Sequence, residues 1–216
     1  MGNLLRLILV RHGKMFFLLA IFYHIGYCDS PQIVIDTLSK KDIPKAVAIN
    51  GNIVDGIKWK DKKGVHYIII SEVTQKELCD SAFKSQLFAL QYSLNDSAIT
   101  IDWKIQDFGS NQCEQIFYLK KTLRIIDIEN DGIGESRFFY EFGHDCCDPI
   151  VVKYMLHVKD KKLAIRGKIP MQEDDQKLYE KNLDKAFQNY DKIYADFALK
   201  DWDDFVQNHY EIFSKK

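Results

Sequence analysis

The residues of this chain best placed to do chemistry lie in the run "DIENDGIGE", residues 127–135, where Asp127, Glu129, Asp131 and Glu135 are strung around Gly132. A hard cation such as calcium takes about six to eight oxygens. Acids at alternate positions of a turning backbone supply them, with a carbonyl such as that of Ile133 filling in. Gly132 permits the sharp bend, and four converging carboxylates without a cation would repel one another. The run is not an EF-hand. The twelfth position counted from Asp127 is Phe138, where that motif needs a bidentate acid. The competing reading is a hairpin turn with exposed acids, because "NDG" is a strong turn signal.

The other reactive side chains are thinner signals. Cys79, Cys113, Cys146 and Cys147 are disulfide candidates if the chain leaves the cytosol. A bridge within the adjacent pair would be strained, which leaves two pairings, each tying Cys79 and Cys113 to the "CC" pair. A zinc site from His144, Cys146 and Cys147 is the sharper alternative, but it lacks the paired C-x-x-C spacing of closed tetrahedral sites. Glu72 in "IIISEV" is a candidate general acid. Asp102 and Asp107 flank Trp103, and an acid beside an aromatic platform suits sugar binding or glycoside cleavage. The plainer reading is of strand acids facing solvent. No G-x-S-x-G, H-E-x-x-H or phosphate-cradling glycine run occurs, so no catalytic residue and no cofactor beyond one structural calcium is assigned.

The elements that must position these residues begin after a leader. The first 28 residues carry Arg6, Arg11 and Lys14 and then an apolar run from Met15 to Tyr23, ending near Gly26 and Cys28. This is the order of a secretory signal, and the run is too short to span a bilayer, which needs roughly 20 residues. Met15 is an alternative start that would lose the positive flank. A lipidated Cys28 would tether the protein to a membrane, although Tyr27 is bulkier than the residue expected before such a cysteine. Removal of 1–28 takes the net charge from −1 to −4. No basic field is present to hold nucleic acid by charge.

From Ile33 to Ile169 the dominant period is two. "AITIDWKIQD" puts Ile99, Ile101, Trp103 and Ile105 on one face and Thr100, Asp102, Lys104 and Gln106 on the other. "GVHYIIISEV" is apolar on both faces and reads as a central strand. Further strands are expected at "NIVDGIKW", "SQLFALQYSL", "TLRIIDI", "ESRFFYEF", "IVVKYMLHV" and "KLAIRG", separated by turn residues. Because no helical stretch intervenes, antiparallel meanders are favoured over parallel crossovers. After "IPMQEDDQ" the spacing becomes three to four, through Tyr179, Leu183, Phe187, Tyr190, Tyr194 and Phe197. It resumes through Trp202, Phe205, Val206 and Phe213 after a cap at Asp201. The expected fold is therefore mainly β: an antiparallel meander or sandwich over residues 29–170, with two C-terminal α-helices in 171–216 packed on the body.

Taken in order, "IIISEV", "SQLFALQYSL", "WKIQDF" followed by Cys113, "IIDIENDGIGESRFFY", "CCDP", "VKYMLHV" and "KLAIRG" resemble a family of exported bacterial proteins described as surface polysaccharide biosynthesis proteins. The likeness runs from about Gly64 to Asp204. The acidic run is similar to the D-x-D-x-D-G-x-x-D loops of FG-GAP and propeller-blade-like β repeats, with Glu129 in place of the usual Asp or Asn. The resemblance implies a periplasmic, outer-membrane-associated or secreted β protein, with envelope polysaccharide or another envelope protein as partner. It defines no catalytic residues, and the doubled "CC" departs from the family pattern. A carbohydrate-active hydrolase or transferase is the alternative, and a protein-interaction module using the aromatic tail is a third.

Overall fold

The computed structural model describes residues 33–74, 85–95, 98–109, 114–143, 149–210 and 213. The leader, Cys28 and the candidates Cys79, Cys113, His144, Cys146 and Cys147 lie outside the described residues.

Alternating side chains over short runs, closed by tight turns, give strands that pair with their chain neighbours. β1 (Val34–Thr37), β2 (Asn52–Asp61), β3 (Gly64–Val73), β4 (Gln86–Asn95) and β5 (Ala98–Phe108) make one antiparallel sheet in chain order. The chain then crosses over. β6 (Gln115–Tyr118), β7 (Arg124–Ile126), β8 (Glu135–Gly143), β9 (Ile150–Val158), β10 (Lys161–Ile169) and β11 (Glu180–Leu183) make the second sheet. There β6 and β7 pair with opposite ends of β8, as one edge strand interrupted by a turn. Thr122 holds that turn: its hydroxyl donates to the Leu119 carbonyl at 2.6 Å and accepts from the Phe139 N–H at 3.0 Å.

The two sheets face each other as a sandwich. Trp59, Ile68, Ile70, Leu87 and Ile105 from the first sheet pack against Ile116, Phe138, Tyr140, Phe142 and Met155 from the second. Each outer face has its own cover. Leu38, Ile43 and Val47 lie on Tyr67, Ile69 and Tyr92 of the first sheet, and α1 (Lys192–His209) lies on the second. Tyr194, Ala198, Trp202 and Val206, spaced by four, form the buried stripe of α1 against Phe139, Tyr154, Leu156 and Ile165. Asp191 caps the helix by accepting from the Ile193 N–H at 3.0 Å.

Three expectations are corrected. Among the described residues there is one α-helix where two were expected. Residues 180–183 instead pair with β10, and residues 185–189 form a 3-10 turn capped by Asp184. Edge pairing there outweighs a helical period that spans too few turns to nucleate on its own. Asp201, expected as a cap, sits inside α1 and pairs with Arg137, its oxygens 2.9 and 3.0 Å from two guanidinium nitrogens. In β5 the strict alternation is broken by a bulge: Gln91 faces Trp103 while Tyr92 faces Ile101, leaving Asp102 as the extra residue. Trp103 and Ile105 therefore turn into the sandwich, Ile99 joins the outer cluster and Ile101 is exposed.

Candidate functional site: the acidic hairpin and the polar chain beneath it

The acidic run forms the loop between β7 and β8, at the end of the sandwich where the β2–β3 turn also lies. Asn130 and Gly132 take positive φ values of 56° and 81°, which coils the backbone back on itself. Both Asp127 oxygens receive backbone N–H groups, from Asp131 at 2.9 Å and Gly132 at 2.7 Å. Asp131 accepts from the Ile133 N–H at 2.9 Å. Glu135 is 2% exposed and accepts from the Ile128 N–H at 3.0 Å. Burial pushes its carboxyl up to about 7, and the negative charges of Asp131, Glu129 and Asp127 push in the same direction.

The hydroxyl of Tyr194, in the first turn of α1, is buried beside the acidic loop. Burial raises its pKa, and an interaction with the Glu129 carboxylate and the charges of Glu135 and Asp131 add to the rise. Among the described residues no group of three or more His, Cys, Asp or Glu converges as a ready cage. The four acids share one loop, but the side chains of Asp127, Asp131 and Glu135 are turned to its backbone, while Glu129 meets Tyr194.

Beneath the loop, Asp61 at the end of β2 joins it to the first sheet. One Asp61 oxygen accepts from the Gly134 N–H at 3.1 Å and from Trp59 Nε1 at 3.2 Å. The other lies 2.9 Å from His66 Nε2. His66 Nδ1 lies 2.8 Å from Ser93 Oγ, and Ser93 donates its one proton to Asp102, 2.7 Å away. With that proton spent, Ser93 accepts from Nδ1–H while Asp61 accepts from Nε2–H. Both ring nitrogens then donate, an arrangement that favours the imidazolium form. Burial opposes the charge on His66, but Asp102 and Asp61 outweigh it and raise its pKa. Burial likewise opposes ionisation of Asp61 and Asp102, yet their hydrogen bonds and His66 hold both below the usual carboxylate range. Gln91 extends the chain, donating to Asp102 at 3.1 Å and accepting from Ser136 of β8 at 3.0 Å.

Of the suspected sugar-chemistry acids, Asp102 is set apart from the other two. Asp102 belongs to the polar chain just described. Asp107, about 15 Å further along β5, accepts from Tyr140 at 2.9 Å and pairs with Lys153 at 2.5 Å. Glu72 accepts from the Tyr118 N–H at 2.5 Å, and burial raises its pKa. Glu72 and Asp107 sit on strands either side of β4, with the fully buried Leu87 in register between them. Sequence reasoning missed His66, Ser93 and Tyr194. The signal for His66 was present: it shares a face with Ile68 and Ile70, and a polar residue on a core face calls for a partner.

Comparison of the chain with protein-family models, with curated proteins and with solved structures finds no match.

Proposed function

We propose that this chain is an exported, non-catalytic protein of the cell envelope that contributes to surface polysaccharide biosynthesis or binding. The carrying observation is the use made of the strand acids. Glu72 and Asp107 are each drawn to a partner on the opposite sheet, and Asp102 reaches that sheet through Gln91 and Ser136. Carboxylates spent as ties between sheets are poor general acids and bases, which need a free oxygen within reach of substrate. The motif order set out for the resemblance supplies the envelope and polysaccharide part of the reading. The finer fold likeness, to FG-GAP or propeller-blade repeats, belongs to the same proposal. No helix among the described residues is long and apolar enough to cross a membrane.

One structural calcium at the acidic loop completes the reading. Asp127, Glu129, Asp131, Glu135 and the Ile133 carbonyl would hold it, each carboxylate oxygen keeping a lone pair beyond its backbone bond. Support comes from the convergence of the Tyr194 hydroxyl and Glu129 at the loop and from the burial and repulsion that raise Glu135. A glycan-array screen of the full chain, with calcium and with chelator, tests both parts. Binding without turnover is the expected result; release of cleaved or transferred sugar returns the enzyme alternative. Calcium at about a hundred times its Kd should stabilise by roughly 2.7 kcal/mol, a rise in Tm of about 5–10 °C. An unmoved Tm removes calcium from the account.

A further inference from the structure

Arg124 of β7 and Arg137 of β8 are direct cross-strand partners. Like charges in that position destabilise a sheet, so the pair needs an anion. Asp201 supplies one, its two oxygens 2.9 and 3.0 Å from Nε and Nη2 of Arg137, and its charge also reaches Arg124. Arg137 donates as well to the Thr122 carbonyl at 2.6 Å. Arg124 is exposed and has no ion-pair partner among the described residues, and its charge works against that of Arg137. Lys121 stands beside them with φ 66°, exposed on the turn that interrupts the edge strand.

These three cations open onto a cleft of about 280 Å³ between that edge and the C-terminal half of α1. The far wall differs in kind. Phe205 and His209 line it, stacked with ring centroids 4.8 Å apart; Phe205 rests in turn on the buried Phe139 of β8 at 3.9 Å, and His209 is the exposed outer ring. Asp204 and Asn208 line the same cleft; the Asn208 amide donates to the Asp204 carbonyl at 2.6 Å, which leaves the Asn208 oxygen and the Asp204 carboxylate as acceptors. A bare inorganic anion would use the guanidinium side alone. A ligand with a carboxylate at one end, a ring that stacks and hydroxyls that donate uses both walls.

We propose that this cleft is a binding site for carboxylated sugars, such as the hexuronate units of an acidic polysaccharide, with the sugar carboxylate bridging Arg124 and Arg137. The proposal rests on the polysaccharide reading and narrows it to acidic glycans and to one face. The ligand is bound and no bond is made or broken.

Titration calorimetry of the full chain with a hexuronate oligosaccharide, its neutral hexose counterpart and inorganic phosphate tests it. The hexuronate should bind, the neutral sugar at least tenfold more weakly, and phosphate should not compete. Arg124→Ala should lose tenfold or more in affinity while the Tm holds or rises, since a like-charge neighbour has been removed; an arginine with only a structural role would show the opposite pair of effects. Asn208→Asp, which keeps size and adds repulsion, should weaken binding further. Equal affinity for phosphate, or full affinity in both variants, overturns the site. Glycan binding on the array that Arg124→Ala leaves intact would overturn the cleft alone, and an array without any glycan signal would overturn the reading beneath it.

Discussion

His66 is nearly out of reach of water, and Asp61 on one nitrogen and Ser93 with Asp102 on the other favour its charged form. Its raised pKa means that this contribution is complete below the unfolded value of about 6.5 and is lost as pH rises through the folded value. Asp61 and Asp102 work from the other side: their stabilisation is present above the ordinary carboxylate pKa and is lost as pH falls through the lowered ones. The chain of bonds is therefore intact in the mildly acidic range between. His66→Gln should cost about 3 kcal/mol near pH 6, the scale of breaking a buried pair, and the gap to wild type in denaturant titrations should narrow as pH rises. A gap constant with pH would mean that the ring is neutral. Glu135 carries the opposite sign. Its carboxyl, pushed up to about 7, costs stability as pH rises from the unfolded value toward 7 and above. Glu135→Gln keeps an acceptor for the Ile128 N–H and removes the charge. It should raise Tm at pH 8 in chelator and abolish the response to calcium.

Most of the strands were legible because their turns were marked and their alternation was regular or, as in "GVHYIIISEV", their apolar run was continuous. What escaped was short or non-local. Val34–Thr37, Gln115–Tyr118 and Glu180–Leu183 hold four residues each, too few to display a period, and exist because an established edge pairs with them. The bulge at Asp102 cannot be read from β5, since it is defined by the register of β4. The acids of the hairpin were legible as a cluster, whereas the inward turn of their oxygens and the approach of Tyr194 depend on contacts from a helix some sixty residues further on. The seat of that helix gives a sharp test. A Cβ on Gly167 of β10 would lie 2.4 Å from the Glu180 carbonyl and 2.5 Å from the Trp202 ring. Gly167→Ala should cost about 2 kcal/mol or more by pushing β11 and α1 off the sheet. Trp202→Ala, which empties a fully buried site, should cost about 3–5 kcal/mol; a loss below 1 kcal/mol in either would show α1 to be loosely held.

At the scale of the whole molecule, a second histidine adds to the acid lability. His157 stacks on Trp103 at 3.6 Å in the sandwich core, 3% exposed, and burial pushes its pKa down to about 3. The unfolded chain takes up that proton first, so stability falls as pH drops from about 6.5 toward 3, by up to roughly 3–5 kcal/mol. His157→Phe should flatten the acid limb of the stability curve; an unchanged limb would place the acid transition in the carboxylates. The larger consequence follows from the crossover between β5 and β6. Every strand of the first sheet precedes that point and every strand of the second follows it, so all β pairing is formed within one half or the other. Pairing between sequence neighbours keeps loop closure short and folding correspondingly fast for a β protein. It also makes the molecule a natural split pair: two fragments parted within 110–113 should each keep a meander and reassemble by burying the inter-sheet core. Their affinity for each other would then report, in trans and by concentration, the strength of the packing that one intact chain conceals.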